Sequence, residues 1–85
     1  MRSVKIPYKR QGLIYFLGLN FDVQDETTKD KILKLCGEVG GVHSAALLEV
    51  VRRGAMGPEF SEVAKRHFMD EGALYKLRRR YYERF

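Results

Sequence analysis

The stretch VAKRHFMDEGALYKLRRRYY, residues 63–82, carries two apolar seams separated by a polar break. Val63, Ala64 and His67 fall on one face of a first short helix, together with Phe60 just upstream. Leu74, Leu77 and Tyr81 recur at three- and four-residue steps, the period of a second helix with one side buried. Between the seams stands Asp70, whose side-chain oxygen suits the start of a helix. Lys65, Arg66, Lys76, Arg78, Arg79 and Arg80 crowd the same stretch. Either the second helix is merely solvated and basic, or it is built to lie against polyphosphate.

Working back from that stretch, GPE at residues 57–59 reads as a helix start, with glycine before a first-turn proline and Glu59 and Glu62 near the positive end of the dipole. GAMGP, residues 54–58, is a turn. A third helix over Val42 to Arg53 sets Ala46, Leu47, Val50 and Val51 on one side, ends in Arg52 and Arg53, and stops at Gly54. Before it, Asp25, Glu26 and Thr28 open a helix whose Ile32, Leu33, Cys36 and Val39 form an apolar seam, ending at Gly40 and Gly41. Pro7 opens a first helix. The run from Gln11 to Asn20 reads equally well as buried strand or buried helix; helix is favoured because no second strand is available to pair with it. The expected fold is all-α, a small bundle of about five helices.

The 85 residues make one domain, 1–85, since either half alone would bury too little core. Cys36 is the only cysteine, so no internal disulfide forms, and with His43 and His67 it makes no zinc cluster. No metal or cofactor is expected, and a reducing, cytoplasmic setting follows. The longest apolar run, Leu13 to Leu19, falls well short of the roughly 20 residues that span a bilayer, and no secretory cleavage pattern follows it. Net charge is +5, but residues 1–21 carry +4, residues 22–62 carry −3 and residues 63–85 carry +4. Cations at both ends with an acidic middle point to an anionic partner met by the ends and a scaffold between them.

Two helices joined by three or four residues, the second cationic, is the outline of a helix-turn-helix, here about 58–85. Ala64 is small enough for the second helix to cross closely over it, Met69 plugs the turn, Asp70 caps, and Leu74 and Leu77 drop inward. This pattern resembles the helix-turn-helix of the invertase and resolvase recombinases, and GALYK at residues 72–76 is similar to the core of that family's recognition helix. The segment from Ala64 to Phe85 also resembles the promoter-reading region of sigma factors and phage late-gene activators. The chain as a whole resembles small helix-turn-helix proteins of integrative mobile elements. Three residues depart from the recombinase pattern: Phe68 replaces the turn glycine, His67 replaces a large apolar residue, and Gly72 stands where serine or threonine is commoner. Phenylalanine is disfavoured in left-handed backbone, so a longer or differently shaped turn is expected.

The resemblance implies double-stranded DNA as partner, with the recognition helix entering the major groove. Glu71, Gly72, Ala73, Tyr75, Lys76 and Arg79 would then face bases, Arg79 pairing with guanine and Glu71 accepting from cytosine. Arg78 and Arg80 on the same helix, with Lys65 and Arg66 on the preceding one, would meet phosphates. One such motif makes few base contacts, so a homodimer is expected, through Ile14, Phe16 and Leu17. Catalysis finds no foothold: no nucleophile stands beside a base in a known pattern, and no glycine loop cradles phosphate. The expected role is a small transcriptional regulator or an accessory factor of DNA recombination. The rival is a non-catalytic helical adaptor that docks on RNA polymerase or a recombinase.

Overall fold

Asp25 and Asp70 each accept a hydrogen bond from the backbone N–H three residues on, Thr28 at 2.8 Å and Ala73 at 3.0 Å, and each begins a helix. The computed structural model describes residues 4–85. They form α1 (Tyr8–Leu19), α2 (Glu26–Gly40), α3 (Ser44–Arg53), α4 (Pro58–Arg66) and α5 (Glu71–Arg84), with single 3-10 turns at Phe21–Val23 and Gly41–His43. The all-α expectation holds, with no strand among the described residues. No helix among them is long and apolar enough to cross a membrane.

The ambiguous run is helical, and the reason is a partner for its inner face. Ile14 is sealed in the core and Gly18 abuts α3 so closely that a Cβ there would stand 2.5 Å from Val51 Cγ1. Only glycine permits that approach. Pro7 is not in the first turn as expected; it precedes the helix in extended backbone, and its carbonyl accepts from the Gln11 N–H at 3.0 Å. In α2 the seam is Ile32, Leu35 and Cys36, while Leu33 is exposed. Leu35 takes the inward place expected of Leu33, while Ile32 and Cys36 keep theirs and Val39 is half-buried. The third helix begins at Ser44, two residues later than expected, because Gly41–His43 forms the tighter turn first.

Gly54 ends α3 in the left-handed conformation, φ 59°, with the Tyr15 side chain packed where a Cβ would go. Pro58 then occupies the first turn of α4. Two apolar clusters result. One gathers Ile14, Ile32, Leu35, Cys36, Leu47, Val51, Tyr81 and Tyr82. The other gathers Ala46, Val50, Ala55, Phe60, Val63, Ala64 and Leu74. Helix α3 lies between them, giving Leu47 and Val51 to the first and Ala46 and Val50 to the second. Burial pushes the Cys36 thiol up to about 12, so it behaves as a small hydrophobe.

Candidate nucleic-acid interface

The turn between α4 and α5 is set by three backbone bonds. His67 N–H reaches Val63 O at 3.1 Å, Phe68 N–H reaches Lys65 O at 3.1 Å, and Met69 N–H reaches Ala64 O at 3.0 Å. Residues 67–70 complete the link before Asp70 caps α5. The expected longer turn is not what forms. Phe68 takes the left-handed conformation itself, φ 53°, at the position where the resemblance has glycine. Its side chain is 95% exposed, so no burial offsets the roughly 1–2 kcal/mol that this backbone costs a residue with a Cβ. What holds it there is the anchoring on either side: Ala64 and Leu74 are sealed in one cluster, and half-buried Met69 packs against it.

With Leu74 inward, the geometry of α5 decides where its polar side chains go. Glu71, Gly72, Ala73, Lys76 and Arg80 are exposed and Arg79 is half-exposed. On the helix, Gly72, Lys76, Arg79 and Arg80 lie on the side opposite Leu74. Lys65 is exposed on α4. Lys65, Lys76, Arg79 and Arg80 have no carboxylate partner among the described residues, whereas other cations nearby do. Glu83 also lies opposite Leu74, one acid near the far end of this cationic ridge.

Three expected contacts come out differently. Tyr75 does not stand on the ridge; its ring stacks on Phe60 with centroids 4.1 Å apart and planes 22° from parallel, leaving it 40% exposed. Arg78 does not reach outward to phosphate. Its Nη1 donates to the Ala55 carbonyl at 3.0 Å, and its guanidinium lies 4.5 Å from the Phe60 ring centre and 4.9 Å from that of Tyr75. This side chain fastens α5 to the turn between α3 and α4. Arg66 is half-exposed but is held by Glu49 of α3.

Glu49 is a hub that the sequence reading missed. Its Oε1 accepts from His67 Nε2 at 2.8 Å, and its Oε2 forms ion pairs with Arg53 Nε at 3.0 Å and with Arg66. Burial alone would raise its carboxyl, but the hydrogen bonds from His67 and Arg66 and the charges of Arg66 and Arg53 outweigh that and hold it below the ordinary carboxylate value. The Glu49 and Arg53 spacing was a local clue. Arg66 and His67 arrive from another helix and its turn, and no spacing rule points to them. Comparison with models of known protein families, with curated proteins and with solved structures gives no match for this chain.

Proposed function

We propose that the chain binds double-stranded DNA through α4 and α5, as a small transcriptional regulator or an accessory factor of DNA recombination. The observation that carries this reading is a set of four cations, Lys65, Lys76, Arg79 and Arg80, without carboxylate partners among the described residues, on the open side of two helices whose other side is sealed. A ridge of that kind suits the major groove, and the small residues Gly72 and Ala73 at its leading end allow close approach to bases. Lys76 and Arg79 are the base-reading candidates, and Lys65 and Arg80 the candidates for phosphate contact.

The test is a mobility-shift or anisotropy titration on fragments recovered from a random duplex pool. Affinity should fall with log salt at a slope of about −2 to −4 per copy, roughly 15- to 250-fold between about 50 and 200 mM. Absent or salt-independent binding would sink the reading.

Two copies acting together would supply the contacts that one motif lacks. Of the three side chains expected to pair, Phe16 is exposed, whereas Ile14 is sealed in the core and Leu17 is half-buried against it. Leu13 and Phe16, 51% and 57% exposed, are among the exposed apolar side chains of α1, with Tyr8 and Leu19 at its ends. A monomer mass by sedimentation in the presence of cognate duplex would exclude this pairing.

Those exposed side chains, with Phe68 at the tip of the turn, are also what favours the second reading, an adaptor docking on RNA polymerase or a recombinase. The two readings separate on whether purified protein carries nucleic acid, seen as an elevated absorbance ratio, that high salt removes.

A further inference from the structure

Between α1, the Gly54–Gly57 turn and α5 lies a half-open cavity of about 500 Å3. That volume falls within the range of sites for small organic ligands. Its walls include the rings of Tyr15, Tyr75, Tyr81 and Tyr82, and among its lining side chains there is one formal charge, Arg78.

Arg78 is in an unusual position for an arginine. It is largely withdrawn from solvent, it has no carboxylate partner among the described residues, and no acid lines the cavity. The Ala55 carbonyl takes one of its N–H groups, the stacked Phe60 and Tyr75 rings lie together beside its guanidinium, and Nε is buried with no hydrogen-bond partner. Arginine does not shed its proton in proteins, so the charge stays. A largely desolvated cation without a counter-charge is costly, and a neutral carbonyl with a stacked ring pair alongside meets only part of its demand. The Tyr75 hydroxyl adds a neutral hydrogen-bonding partner, and the Tyr82 hydroxyl lies close enough to bear on its charge. Tyr81, fully buried, has a hydroxyl without a hydrogen-bond partner. Burial holds that phenol far above its ordinary pKa, so it keeps its proton beneath the cavity wall.

A single cation, phenol groups and extensive ring surface select one ligand chemistry. One negative charge matches one guanidinium, and a carboxylate fits the guanidinium fork. A phosphate dianion would bring a second charge into walls that offer nothing to balance it. A planar apolar body matches the tyrosine rings. We propose that this cavity binds a small monocarboxylate with a planar apolar body, its carboxylate held by Arg78 and its ring laid against Tyr15, Tyr75 and Tyr82. The site stands whether or not α5 binds DNA.

The experiment is an amide-resolved NMR titration of the full chain with benzoate, phenylacetate and 3-phenylpropionate, with phenylacetamide as neutral isostere and inorganic phosphate as a bare anion. At least one carboxylate should give saturable shifts below about 10 mM, centred on Gly12, Ala55 and Arg78, and phenylacetamide should bind about tenfold more weakly or worse. Gly12→Leu is the decisive variant. Gly12 lines the cavity and a Cβ there meets nothing within 4 Å, so the chain keeps its fold while a bulky side chain enters the space. It should abolish the shifts with thermal stability kept or raised. Arg78→Gln should weaken binding at least as much as the loss of ligand charge does. The proposal is overturned if no carboxylate saturates, if phenylacetamide or phosphate does as well, or if Gly12→Leu binds unchanged.

Discussion

Tyr75 lies flat against Phe60, ring centres 4.1 Å apart, so that α5 is fastened to α4 by an aromatic pair as well as by the Ala64 and Leu74 cluster. Arg78 covers both rings, its guanidinium carbon within 5 Å of each centre, 4.5 Å for Phe60 and 4.9 Å for Tyr75. The side of α5 that carries Tyr75 and Arg78 therefore belongs to the fold, and the side that carries Lys76 and Arg79 is the one left for a partner.

Replacing Tyr75 by alanine should lower stability by about 1–2 kcal/mol, the pair and part of the ring's burial being lost. Phenylalanine at the same position should retain most of it. Urea denaturation of both variants checks this, and DNA affinity measured per folded molecule should change little.

Phe68→Gly should raise stability by about 0.5–1 kcal/mol. Left-handed backbone costs a residue with a Cβ more than the entropy glycine loses on folding, and a side chain 95% exposed gives up almost no packing. An unchanged urea midpoint would mean that the turn carries no strain. If docking uses the exposed ring, the same variant should lose that partner while becoming more stable.

The Glu49 hub makes stability depend on pH in a definite direction. Its carboxyl titrates lower in the folded chain than in the unfolded one, so its contribution is complete above the ordinary glutamate range near roughly 4.3 and is lost as pH falls through the lower native value. Glu49→Gln should flatten that acid-side decline and cost about 1 kcal/mol at neutral pH, the partners being half-exposed and screened. It also releases Arg66, so the salt slope of DNA binding should steepen by up to about one unit. Denaturation at several pH values and a salt series measure the two effects.

Arg79→Ala and Lys65→Ala should separate reading from gripping. The first is expected to relax preference at one base position by about 1–3 kcal/mol, and the second to weaken all sequences alike. Parallel titrations on a recovered site and on a scrambled duplex distinguish them; equal losses on both duplexes for Arg79 would remove it from the base-reading set.

Much of the fold was legible because it is written locally. Asp25, Asp70, Gly54 and Pro58 mark helix ends by their own chemistry, and Leu74 and Tyr81 keep the helical period. What failed was set from a distance. Tyr75 and Arg78 look outward by composition, yet Phe60 and the Ala55 carbonyl, brought alongside by the preceding helix and turn, draw them in. Ile14 looked available for pairing because nothing near it in sequence announces its place in the core beside Leu47 and Val51. Phe68 shows the converse. Its intrinsic preference is overruled by neighbours that fix the chain on both sides of it.

Helix α3, wedged between the two clusters, makes the last two helices tenants of a wall they do not own. Cut away as residues 58–85, they would keep Ala64 against Leu74 but forfeit Ala46, Val50 and the Glu49 anchor. Any graft of this motif into another scaffold must bring the wall with it.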